Sequence, residues 1–271
     1  MLVRGIAEGD LRNSAYVAFQ KTYRDDPVAF THDCTRWRDH ERPALYQDEI
    51  LAQLPISKRV AVRSPHGAGK TALAAWAALW YALTRDGDDW KIPTTASVWR
   101  QLERFLWPEI RWWTRALDWQ RIGRPPFDSK TELLNLILRL ETGEAFAVAS
   151  DVPDAIEGAH ATSMFYVFDE AKSIPANIFD AAEGAFAGGG ADTGYEALAL
   201  VISTPGEPTG RFYDIQSRKA GYEDWVGTPC YSGGGSRRRT GEPGVGRATG
   251  EAVRYWFCRL QEPGEGRLCQ Q

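Results

Sequence analysis

A chain of 271 residues, 43% hydrophobic and 25% charged with a formal net charge of −4, has the composition of a globular protein long enough to bury a core. That excludes a mostly disordered chain, a collagen-like repeat and a disulfide-dense miniprotein. No run approaches the ~18 uninterrupted apolar residues of a membrane span, and MLVRGIAEGDLRNS has no apolar stretch, so no secretory leader is expected. Cys34, Cys230, Cys258 and Cys269 form no CxxC pair, and His32, His40, His66 and His160 complete no zinc pattern. Reduced thiols in a cytosolic compartment are the simplest reading.

The averages conceal a break near residue 226. From Val226 onward, seven arginines stand against four glutamates, and the preceding 225 residues therefore carry a net charge of −7. This tail also holds three of the four cysteines and 10 of the 26 glycines. An acidic body argues against a general phosphate-coating nucleic-acid binder, so any grip on DNA would have to be local.

In chain order, residues 1–43 read as a helical lead-in, with Leu11–Tyr23 a helical patch. A short helix, Tyr46–Leu54, precedes the apolar run Val60-Ala61-Val62, a Gly-rich turn and a helix from Lys70 to Leu83. Ile92–Ala96 is β-like. Trp99, Leu102, Phe105, Leu106, Ile110 and Trp113 then follow at helical spacing, which predicts one amphipathic helix with these side chains in the core. The alternative, an aromatic platform for nucleic acid, is weaker because the neighbours are aliphatic. Leu136–Leu140 and Ala145–Ala149 read as a hairpin, and Met164–Phe168 and Leu198–Ile202 as strands around a helix at Ala176–Phe186. Strands alternating with helices predict an α/β fold, a mainly parallel sheet covered on both faces.

The strongest local signal is Arg63-Ser64-Pro65-His66-Gly67-Ala68-Gly69-Lys70-Thr71, between a strand and a helix. This is the context of a phosphate-binding loop: glycines turn backbone amides toward phosphate oxygens, and the helix N-terminus adds positive potential. Lys70 would reach the β- and γ-phosphates of ATP, and the Thr71 hydroxyl would ligate Mg²⁺. Ser64 stands where GxxxxGK[ST] usually has its first glycine. Asp169 and Glu170 end an apolar strand, the position of a metal-holding aspartate and a general base for water. An acidic cap after a core strand is the plainer alternative. Ser203 and Thr204 end the next strand and are candidates for sensing the γ-phosphate, or simply start a turn. Tyr46 and Gln47 are candidates for stacking on and hydrogen-bonding adenine, or an ordinary helix start.

Taken in order, these motifs resemble the large terminase subunit, the DNA-packaging motor of tailed phages and prophages, from about Asp25 to Tyr213. Asp25–Phe30 and Leu45–Leu51 look like its lead-in and adenine motif, and Val60–Thr71 like its phosphate loop. Thr94–Leu102 resembles the segment after its second strand. Ile156–His160 with Val167–Ala171 is similar to its Gly-x-His and acidic-strand block, and Ser203–Gly206 running into Gly210–Tyr213 to its coupling motif. The resemblance implies a P-loop NTPase of the additional-strand, catalytic-glutamate class that couples ATP hydrolysis to moving double-stranded DNA into a procapsid. It implies an adenine role for Tyr46 and Gln47, coupling by Ser203 and Thr204, and γ-phosphate stabilisation by Arg63, with Arg211 a weaker candidate. It further implies a portal, a small terminase subunit and a homo-oligomeric ring as partners, no membrane, and the cytoplasm of a bacterial host.

Large terminases usually continue into a nuclease domain. Here no aspartate follows Asp224, so an ATPase domain over residues 44–225 without nuclease activity is expected. The tail, residues 226–271, reads as disordered or as a GC-rich gene in the wrong frame, with a genuine basic DNA-binding tail as the alternative. Other functional readings are a helicase-like or transposition-associated ATPase, and an inactive prophage remnant that binds nucleotide weakly.

Overall fold

The computed structural model describes residues 8–151, 156, 158–187 and 194–228; most of the tail, and the calls made on it, lie outside these. Among the described residues the elements are α1 (Glu8–Tyr23), α2 (Pro27–Asp33), α3 (Leu45–Ser57), β1 (Arg59–Arg63), α4 (Lys70–Arg85), β2 (Trp90–Ala96), α5 (Trp99–Gln101), a π-helical stretch (Leu102–Leu106), α6 (Trp107–Ala116), α7 (Trp119–Ile122), β3 (Ile137–Arg139), β4 (Gly143–Ala149), β5 (Ser163–Asp169), α8 (Ala176–Ala187), β6 (Glu196–Ser203), α9 (Arg211–Gln216) and β7 (Val226–Gly227). The strands form one sheet in the order β3-β4-β2-β5-β6-β1-β7, and every pairing is parallel except β3 with β4.

Alternation along the strands divides the core. Val60, Val62, Phe165, Val167, Leu198, Leu200 and Ile202 point to one face, under α4 and the N-terminal helices. Ala61, Met164, Tyr166, Phe168, Ala199 and Val201 point to the other, where α8 and α9 pack. Both faces are thus apolar, as a parallel sheet requires. Helix α4, KTALAAWAALWYALTR, is buried at every position from Leu73 to Arg85. Its Ala-rich sequence has no polar stripe, which is the signature of a helix enclosed on all sides. Helices α1 to α3 wrap it: Phe19, Tyr23, Phe30, Ile50, Leu51 and Leu54 share its core, and Trp80 Nε1 donates to the Tyr23 carbonyl at 2.7 Å.

The amphipathic helix expected from Trp99 to Trp113 forms, with Leu102, Leu106, Ile110 and Trp113 in the core, and is corrected at Trp99 and Phe105. Residues 99–116 are helical without a gap, but Leu102–Leu106 between α5 and α6 is a π-helical stretch. The wider π-turn takes the helical repeat out of phase, so Trp107, Ile110 and Trp113 are buried while Trp99 and Phe105 lie 44% and 59% exposed. Trp107 Nε1 is satisfied by the Thr94 hydroxyl at 3.1 Å.

The far end of α4 is held by charge. Arg85, fully buried, donates to both Glu196 carboxylate oxygens at the start of β6 (3.1 and 3.0 Å) and lies over the Trp80 and Tyr81 rings. Burial pushes Glu196 up, but Arg85 and Lys58 outweigh it and hold the carboxylate below its ordinary value of 4.5. A carboxylate depressed in the fold stabilises it above that value and loses the contribution as the pH falls below it. Glu196→Gln leaves the buried guanidinium without a counter-charge and should cost about 3 kcal/mol by urea denaturation at pH 7. The difference from the parent chain should shrink as the pH is taken below 4.5.

Candidate nucleotide site

The site is assembled at the C-terminal edge of the sheet, where β1, β5 and β6 end together. Gly67 and Gly69 have φ of +75° and +81°, in the left-handed region open to glycine, and Gly69 is the residue from which α4 starts. Ser64 is not among the residues with positive φ. Serine in place of the first glycine therefore costs nothing in backbone conformation, and its backbone N–H donates to the Ser203 carbonyl at 3.2 Å. Lys70 is buried, its Nζ donating to the Ser64 and Pro65 carbonyls at 3.1 and 2.9 Å. Pro65, His66 and Ala68 complete the loop, with His66 exposed.

Glu170 and Asp169 face this lysine electrostatically. Burial lowers the Lys70 pKa; Glu170 and Asp169 pull it back up, and Lys172 pushes it further down. Asp169 is pushed up to about 6 by burial and by the adjacent Glu170 carboxylate, against the Glu170 N–H it accepts at 2.9 Å and the charge of Lys70. The donor set suits a hard cation: the Asp169 carboxylate and the Thr71 hydroxyl are the oxygen ligands Mg²⁺ takes alongside phosphates. Glu170 itself is left-handed (φ 48°, ψ 47°), a strained conformation of the kind found at functional sites.

The second group of expected residues also converges. At the end of β6, Ser203 pairs in register with Arg63, and Ser203 and Thr204 are both buried. The Thr204 hydroxyl lies 3.4 Å from Glu170 Oε2. Gln47 sits in the first turn of α3, where its Oε1 accepts the Ala44 N–H (2.7 Å) and its Nε2 donates to the Gly69 carbonyl (3.0 Å). The helix-start reading of Gln47 is thus seen directly, and the same side chain reaches the phosphate loop at Gly69. Tyr46 OH also lies beside Gly69. Arg63 lines a cavity of about 50 Å³ with Lys172, Gly206 and Glu207. Arg211 is paired instead with Asp180 and Tyr222 on the α8 side. Among the described residues no hydrogen bond ties the exposed ring of His160 to the site.

The residue the motif reading passed over is Lys172. Its Nζ donates to Thr204 Oγ1 at 2.7 Å and its backbone N–H to Ser203 Oγ at 3.2 Å. A basic residue three positions after the strand-ending Asp169 was the available signal.

Strand order makes the fold assignment definite. The phosphate-loop strand β1 and the acidic strand β5 are separated by one inserted strand, β6. This is the P-loop NTPase fold with an additional strand. No protein-family model matches the chain. It is 27% identical over 187 residues to the "Probable terminase, large subunit" of Enterobacteria phage P7, covering 66% of this chain and 35% of that protein. The chain thus spans about a third of that relative's length. Among solved structures it is similar to the large terminase of a thermophilic bacteriophage (TM-score 0.51, 15% identity, 69% of this chain and 45% of that one). It is also similar to the large terminase ATPase domain of Thermus phage P74-26 (TM-score 0.49, 18% identity, 82% and 89%). Its relatives, in sequence and in solved structures, are large terminase subunits, as the order of motifs implied.

A Cβ on Gly69 would stand 2.8 Å from Gln47 Nε2, on a backbone with positive φ. Gly69→Ala should therefore cost about 1–3 kcal/mol, read as a fall of several degrees in melting temperature. The same substitution in a Gln47→Ala background should cost measurably less.

Proposed function

We propose that residues 44–225 form an ATPase motor domain that hydrolyses ATP to ADP and phosphate. The observation that carries this is the meeting of the Gly67–Thr71 loop with Asp169 and Glu170 across one intervening strand, with Lys70 electrostatically coupled to both carboxylates. Loop amides and Lys70 hold the phosphates, and Tyr46 and Gln47, seated against Gly69, border the adenine side. Thr71 and Asp169 would hold Mg²⁺, which would supply neutralisation of phosphate charge. Glu170 accepts a proton from the water whose oxygen bonds the γ-phosphorus as the bridging P–O bond to ADP breaks. Lys70 and Arg63 balance the charge that develops there. Ser203 and Thr204 relay the state of the γ-phosphate into the sheet.

In the wider assembly the domain would translocate double-stranded DNA into a procapsid. It would act as a homo-oligomeric ring with a portal and a small terminase subunit, in the bacterial cytoplasm. Support comes from the phage P7 relative and from the terminase of the thermophilic bacteriophage, which has also been solved with ADP and with ATP-γ-S. Among the described residues no helix is long and apolar enough to cross a membrane.

Phosphate release from ATP by the full chain tests the reading. Lys70→Ala should abolish nucleotide binding and turnover. Glu170→Gln should bind nucleotide normally while kcat falls by roughly 10²- to 10⁴-fold. Absence of turnover in the parent chain, or turnover undiminished in Lys70→Ala, would overturn it.

A further inference from the structure

Lys172 occupies a position that packing alone does not require. Its aliphatic stem lies along Gly206: a Cβ there would stand 3.0 Å from Lys172 Cδ and 3.1 Å from its Cβ. Glycine at 206 thus makes room for the stem to run from the end of β5 to the end of β6. At its tip the ammonium donates to Thr204 Oγ1 at 2.7 Å and stands 4.0 Å from Glu170 Oε2. The direction of these bonds follows from chemistry. An ammonium only donates, so the Thr204 oxygen must accept, and its single proton is left for Glu170 Oε2. At 3.4 Å that second bond is long, so the carboxylate's orientation depends on the charge behind it as well as on the hydroxyl.

We propose that Lys172 is a positioning residue for Glu170, acting through the Thr204 hydroxyl. This rests on reading the site as an ATPase. Lys172 fixes the rotor of Thr204, and the polarised hydroxyl turns one carboxylate oxygen of Glu170 toward β6, leaving the other for water. The backbone N–H of Lys172 holds Ser203 Oγ at 3.2 Å, so both hydroxyls at the end of β6 are read by one residue. Movement at the end of β6 is then felt by Glu170 through the lysine, with no contact of Lys172 to the phosphates needed.

The test is steady-state ATP hydrolysis by the full chain, with nucleotide affinity and melting temperature measured in parallel. Lys172→Met should lower kcat by about 10- to 100-fold, the range for loss of a charged hydrogen bond, with KM for ATP, nucleotide affinity and melting temperature unchanged. Lys172→Arg should recover most of the loss, because a donor and a positive charge return. Gly206→Ala, which keeps the ammonium but crowds the stem and so draws it off Thr204, should lower kcat in the same sense. Lys172→Met combined with Thr204→Val should be no slower than the slower single variant, since both break one chain of bonds. A wild-type kcat in Lys172→Met, or a loss that arginine does not relieve, overturns the positioning role while leaving the ATPase reading standing. Independent, multiplying effects of Lys172→Met and Thr204→Val overturn the relay. No turnover by the parent chain overturns both readings together.

Discussion

Neighbouring strands in a sheet lie about 4.8 Å apart, so placing β6 between β1 and β5 separates the phosphate loop from the acidic pair by roughly 10 Å. That spacing leaves room for a chain of phosphates between an ammonium on one side and two carboxylates on the other. It also delivers the end of β6, with Ser203 and Thr204, into the middle of the gap. The Ser64 N–H to Ser203 carbonyl bond locks this arrangement at the point where the loop leaves the sheet. Everything the site contains is referenced to that inserted strand.

Much of this was legible because buried parallel strands write themselves as short apolar runs and phosphate loops as glycine next to lysine. The ends of β1, β5 and β6, the start of α4 at Lys70, and the grouping of Lys70, Asp169, Glu170, Ser203 and Thr204 all follow from local sequence. Strand order did not, since nothing in Leu198–Ile202 itself says which two strands it separates. The π-turn at Leu102–Leu106 was equally invisible: helical periodicity continues on either side, and only the exposure of Trp99 and Phe105 betrays the phase change. Lys172 was missed for a related reason. Its meaning depends on a residue 32 positions away, Thr204, and on a glycine that makes space for its stem.

The tolerance of Ser64 follows the same logic of backbone against side chain. A glycine is demanded where φ is positive, at Gly67 and Gly69, and not where a residue merely continues a strand. A motif written as a string of letters weights all its glycines equally; the backbone does not.

Helix α4 and strand β6 are tied to one another at both ends. Near the loop, the backbone bond from Ser64 to Ser203 joins them through β1; some ~24 Å away along the 16-residue helix, Arg85 grips Glu196. Between these ties α4 is enclosed by apolar side chains. Two stiff members fastened at both ends make a closed frame, and such a frame cannot shear internally without breaking a buried ion pair. The helix thus spans the sheet from the loop end of β6 to its far end, held to that strand at both.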